Sequence, residues 1–182
     1  QVTGNTKLNS NNDLSYMKIE VNSDNNYDYT WIFDKENTSH AFDNGWDGYK
    51  LPYMKPMYIY SDETAGNMQI NVLNDIDSVY LSFKAGNDAQ YTLTINSVNL
   101  LDKYNDLYLT DLTTGTFKKI DANTVTYAFN ANNTTQAEKR FLISGSKKTV
   151  KEEDVHPFII SSNQGKLLVT NNGTESGLLY VY

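Results

Sequence analysis

The sequence predicts an all-β protein, an antiparallel two-sheet β-sandwich of jelly-roll or Ig-like type, with a partial second β unit at its C-terminus. Three observations predict it. Apolar and polar residues alternate along most of the chain, the period-2 pattern of half-exposed strands. Turn clusters such as NSDNN, ETAGN, KAGND, LTTGT and NNGTESG break that alternation, at the roughly 8–12-residue spacing of a sandwich. The composition is rich in Tyr (14 of 182 residues) and in Thr, and aromatics make up 13%; these residues suit a pleated, half-buried surface.

The elements follow in order. The start, QVTGNTKLNSNND, is polar and reads as a disordered lead-in over 1–13,. YMKIEV gives a strand at 15–22, with Met17, Ile19 and Val21 inward and Lys18 and Glu20 outward. YDYTWIF gives a strand at 27–33, with Tyr27, Tyr29, Trp31 and Phe33 on one face. Further strands are expected at 57–60, 67–73, 78–84, 89–98, 106–111, 116–120, 124–129 and 138–144. The expected core holds Met17, Ile19, Val21, Trp31, Phe33, Leu81, Phe83, Tyr91, Leu93, Ile95, Leu107, Leu109, Phe129, Phe141 and Ile143. One sandwich domain thus spans 14–145. Charged residues over 146–156 read as a linker, and 157–182 as a partial β unit with strands at 157–161, 166–170 and 177–182. No long stripe of period 3.6 occurs, and TTQAEKRF and KKTVKEEDV supply at most a helical turn each.

Composition excludes several functions. A net charge of −7 and a pI near 4.7 repel phosphate backbones, so nucleic acid is not an expected partner. The absence of cysteine removes disulfides, thiolate nucleophiles and Cys-based zinc sites. No apolar run reaches the roughly 20 residues that span a bilayer, and no signal peptide is visible at Gln1. The only histidines, His40 and His156, lie outside any Gly-x-Ser-x-Gly or His-Glu-x-x-His setting. No pair among the 22 acidic residues stands out as a glycosidase couple,. The chain reads as a non-enzyme with no cofactor.

Candidate sites remain. FDNGWDGYKL, residues 42–51, surrounds Trp46 with Tyr49, Asp43 and Asp47. As a ligand site, the rings would stack on a sugar and the carboxylates would accept its hydroxyl hydrogen bonds. As a structural corner, Gly45 and Gly48 would supply unusual backbone angles, the aspartates would cap neighbouring N–H groups, and the rings would plug the end of the sandwich. The structural reading is the stronger. Asp24, Asn25, Asn26 and Asp28 offer oxygen ligands for calcium, but the EF-hand order is missing and an Asx turn explains them better, so no metal is expected. KAGNDAQ and LTTGT read as hairpin turns rather than phosphate loops.

Several phrases, taken together and in order, resemble a known domain. FDNGWDGYKL looks like Phe-Asp-x-x-x-Asp-Ala-Tyr-Lys-Leu. It is followed by PMYIYS, INVLNDI, VYLSFKAGNDAQYTLTINSV, LYLTDLTTGTFKKI and YAFNANNTTQAEKRFLI. The set, from residue 14 to about 144, resembles a secreted β-sandwich domain common in Bacteroidetes, found upstream of the C-terminal sorting tails of type IX secretion cargo. FIISSNQGKLLVTNNGTESGLLYVY resembles the opening strands of such a tail, without its Asp-x-x-Gly-Arg turn and last basic strand. The resemblance implies an extracellular or outer-membrane-surface module attached to a longer polypeptide, with surface polysaccharide or host glycan as further partners. It also implies that Asp77-Ser78-Val79 matches the short Bacteroidetes O-glycosylation signal, with Ser78 as acceptor. The Asn-x-Ser/Thr triplets at Asn37, Asn132, Asn133 and Asn172 carry no such weight. The expected role is structural or adhesive, with carbohydrate binding around Trp46 as the alternative.

Overall fold

The computed structural model describes residues 14–51, 55–148, 158–163 and 166–171. The lead-in 1–13, the segment 149–157 and the expected strand at 177–182 lie outside the described residues. The chain divides into two compact units, residues 1–148 and 149–182.

In the first unit the strands are β1 (Ser15–Asn22), β2 (Tyr27–Asp34), β3 (Gly48–Tyr49), β4 (Tyr58–Glu63), β5 (Gly66–Leu73), β6 (Val79–Lys84) and β7 (Gln90–Val98). After a one-turn helix α1 (Leu100–Lys103) come β8 (Tyr104–Asp111), β9 (Thr116–Lys119), β10 (Thr124–Asn130) and β11 (Glu138–Lys147). The second unit contributes a two-stranded antiparallel hairpin, β12 (Phe158–Asn163) and β13 (Lys166–Asn171). The strand expected at 138–144 runs on to Lys147, which moves the start of the linker region back.

The all-β expectation holds, but the arrangement differs from two antiparallel sheets. All eleven strands of the first unit belong to one hydrogen-bonded sheet in the order β10-β7-β1-β2-β5-β4-β6-β11-β8-β9, with β3 added beside β5. The β2–β5 pair is parallel and the other pairs are antiparallel, so the sheet is mixed. The sheet curls into a nearly closed, barrel-like arrangement that brings the β10 end over β6 and β11. Phe129 of β10 meets Phe83 of β6 edge-on at 5.3 Å and Phe141 of β11 at 5.0 Å. Right-handed strand twist accumulated over so many strands favours such curling. Sequence periodicity registers each strand but not which strands join, so it could not separate one curled sheet from two stacked ones.

One core cluster fills the interior. It runs from Met17, Ile19 and Val21 on β1 through Leu93 and Ile95 on β7 to Phe141 and Ile143 on β11. Removing the fully buried Phe141 ring would cost about 3–5 kcal/mol,. The core also includes Ile59, Leu73, Ile76, Leu100 and Ile120.

Strand β2 corrects the expected core. Trp31 and Phe33 are half-buried on the outer face, while Asp28, Thr30, Ile32 and Asp34 point inward. Alternation fixed two faces correctly, but their assignment is reversed. The interior of β2 is polar because lysines distant in sequence neutralise it, as described next.

Candidate functional site

The 42–51 segment is a corner built on backbone capping. Asp43 Oδ2 accepts hydrogen bonds from the Ser39 backbone N–H (2.6 Å) and hydroxyl (3.3 Å). Asp47 Oδ2 accepts from the Asp43 N–H (2.8 Å), and its Oδ1 accepts from the Val72 N–H of β5 (2.8 Å). The Asp43 carbonyl accepts the N–H groups of both Trp46 and Asp47. Gly45 carries φ +89°, which L side chains rarely adopt, and this closes the turn,. Both aspartates are therefore engaged with backbone, as a structural corner requires. Gly48, however, is not in the positive-φ region, and Trp46 and Tyr49 are half exposed rather than plugging the end of the fold.

The rings of the corner go separate ways. Tyr49 stacks on Phe42 at 4.5 Å with 13° between planes. Its edge lies where a Cβ on Gly66 would sit, 3.0 Å away, and Gly66 has φ +140°. A side chain at 66 would be strained and would displace the ring. Trp46 lies elsewhere, 53% exposed, with Lys35 Nζ 4.5 Å from the ring centroid. It borders an almost wholly apolar cleft of about 270 Å³ lined by Leu14, Phe33, Ile70 and Val72. Trp46 and Tyr49 are thus each about half exposed, but they do not form one platform.

Lys50, next in sequence, anchors the corner inside the protein. Its backbone N–H donates to the Asn67 carbonyl (2.8 Å). Its ammonium reaches Asp28 Oδ2 at 2.5 Å and the Tyr29 carbonyl at 3.1 Å, with both ionised side chains buried. Asp28 Oδ2 also accepts the Ile59 N–H (2.9 Å), and Oδ1 accepts from Lys55 (2.8 Å). Burial holds the Lys50 amine below the usual lysine range, with Asp28 acting in the opposite direction. One carboxylate on β2 thereby ties down the corner and the start of β4.

The outer face of β1 and β2 is an aromatic stripe. Tyr16 sits 5.4 Å from Trp31 and 5.3 Å from Phe33; Trp31 stacks on Phe33 at 6.0 Å and meets Tyr29 edge-on at 6.5 Å. Lys18 lies over Tyr29 at 4.8 Å and pairs with Glu20, whose carboxyl is held below its usual range by hydrogen bonds from Lys18 and Asn22. Sequence reasoning placed these rings in the core. No local signal could have turned them outward: aspartates on the opposite parity argue for rings facing inward, and the lysines that reverse this lie far off in sequence.

The remaining candidates fall into place singly. The NSDNN turn closes through Ser23 N–H to the Asn26 carbonyl (2.9 Å). Asn25 and Asn26 reach Asp88, whereas Asp28 points into the core, so the four oxygen-bearing residues considered for calcium do not converge. Ser78 is exposed with φ +60° at the head of β6, its hydroxyl 3.4 Å from Asp77 Oδ1. His40 Nδ1 lies 3.2 Å from Glu63 Oε2 at the surface, and His156 lies outside the described residues. Among the described residues, no cluster of three or more His, Asp and Glu side chains could hold a metal ion, and no helix is long and apolar enough to cross a membrane.

No known family profile matches the chain, and no solved structure matches it. One curated protein is similar over the whole chain: the minor fimbrium subunit Mfa5 of Porphyromonas gingivalis, 26% identical over 184 aligned residues. The chain spans only about 15% of that protein's length.

Proposed function

We propose that this chain is a non-catalytic cell-surface β module of a longer polypeptide, with a structural or adhesive role. The observation that carries the reading is the similarity, along the entire chain, to a fimbrial subunit of a Bacteroidetes bacterium. The corner geometry supports it: Asp43 and Asp47 spend their oxygens on backbone N–H groups, which leaves a rigid fold element rather than a reactive cleft. Export by the type IX route, with 157–182 as the opening of a sorting tail, is the finer form of the proposal. Its partners are the rest of the parent polypeptide and the surfaces that polypeptide meets. Protease shaving of intact cells, followed by mass spectrometry, tests the location. Release of peptides from 14–148 is expected, and retention of the whole chain inside the cell would overturn the reading.

The half-exposed Trp46 and Tyr49 support carbohydrate binding as a second reading. Tryptophan fluorescence titrated with plant, mucin and bacterial-wall polysaccharides separates the two. A saturable change that vanishes in a folded Trp46→Ala variant would replace the structural reading by the sugar-binding one. A spectrum indifferent to every polysaccharide keeps the structural reading.

A further inference from the structure

The sheet ends in two free edges, and they are guarded differently. β9 is four residues long and carries Lys118 and Lys119, cations of the kind that discourage strand pairing. β10, Thr124–Asn130, is seven residues long and has no charge, no proline and no bulge. Its exposed side chains are Thr124, Thr126, Ala128 and Asn130, all small and uncharged, in a chain with net charge −7.

The backbone of β10 is available at the same positions. The Asn123 carbonyl accepts from Ser97, and the Ala131 N–H donates to Ala89. Both bonds turn odd-numbered residues toward the β7 side. In an antiparallel ladder the facing alternates, so Thr124, Thr126, Ala128 and Asn130 turn their N–H and C=O groups away. The Asn130 carbonyl is already taken by Arg140 (3.0 Å). Thr124, Thr126 and Ala128 remain, and among the described residues no strand pairs with the side of β10 away from β7.

We propose that this edge pairs with the same edge of a second copy of the chain, antiparallel about a twofold axis through Thr126. That register sets Thr126 opposite its equivalent and Thr124 opposite Ala128 of the other copy. It uses the three free residues of each copy and leaves the Arg140 contact intact. A twofold contact requires a self-complementary patch, and an uncharged strip of small side chains lets two acidic molecules approach without opposing like charges. A partner with a charged or bulky edge would lose that fit. The inference is independent of whether the module is adhesive.

Sedimentation velocity of the whole chain across a micromolar-to-millimolar dilution series tests it. Wild type is expected to shift reversibly from its 20.7 kDa mass to twice that value. Thr126→Lys should remain a single copy, while Phe117→Lys on β9 should dimerise as wild type does. Ala128→Lys repeats the test should Thr126→Lys fail to fold by circular dichroism. A wild type that stays at single-copy mass throughout, or a folded edge variant that dimerises unchanged, would overturn the proposal.

Discussion

The two ends of β2 pose the same problem and solve it to different degrees. Each buries an aspartate and brings two lysines to it. At Asp28 both oxygens are hydrogen-bonded, by Lys50, Lys55 and the Ile59 N–H. At Asp34, Lys147 bonds Oδ1 at 2.9 Å, whereas Lys103 stops 3.6 Å from Oδ2, which has no hydrogen-bond partner among the described residues. The lysines differ too: Lys50 is as buried as its partner, while Lys103 and Lys147 are a third or more exposed. A buried charge is costly unless its partner goes with it. The Asp28 end is therefore committed in both directions, and the Asp34 end in only one.

The largest expected effect follows from that asymmetry. Asp28→Ala strands Lys50 in the interior and should cost about 3–5 kcal/mol in chemical denaturation. Asp34→Ala leaves lysines that can turn to water and should cost about 1–3 kcal/mol. Equal losses at the two sites would break the comparison. Replacing the committed pair together, as Asp28→Leu with Lys50→Met, should return to within about 1–2 kcal/mol of wild type, because a buried pair often exchanges with apolar residues at little cost.

Alkaline titration sharpens the contrast, since the two ends respond with opposite sign. Tyr104, whose ring lies beneath Lys147 near Asp34, is pushed well above its ordinary value of 10.0, first by burial. The folded protein holds that proton more tightly than the unfolded chain. Its contribution is full below pH 10 and is lost as pH rises further. Tyr60 and Tyr91 are raised by burial in the same direction. Lys50 is lowered from 10.5, so its term rises as pH approaches that value from below. Tyr104→Phe should flatten the alkaline loss of stability in denaturation curves, and Lys50→Met should steepen it. The smallest effect belongs to the corner's exposed ring: Trp46→Ala should change stability by no more than about 0.5–1 kcal/mol, and a larger loss would make that ring part of the core.

What could be read from the sequence follows the same line. Alternation located the strands and most of the core, because Met17, Ile19, Leu93, Leu109 and Phe141 lie on the more apolar parity of their strands. It failed on β2, where the ring-bearing face is the more apolar of the two. Only contacts from Lys50, Lys55, Lys103 and Lys147 make the Asp28–Asp34 face tolerable inside, and periodicity holds no trace of pairings that distant. The local caps of Asp43 and Asp47 onto Ser39 and Asp43 were legible because they lie within four residues; the bond from Asp47 to the Val72 N–H of β5, 25 residues on, was not. The parallel β2–β5 pair and the edge of β10 were not, since neither is encoded in any one strand.

Lys147 stands 113 residues from Asp34, on the strand that fits between β6 and β8. Synthesis delivers that strand after every other strand of the first unit. Until it arrives, β6 and β8 have no bridge between them and the carboxylate at the end of β2 lacks its nearest cation. The nascent chain can assemble hairpins such as β1–β2 early, but closure waits for the final segment. Such reliance on distant contacts favours slow, all-or-none folding. A unit with this connectivity stays open until its own C-terminal strand is in hand.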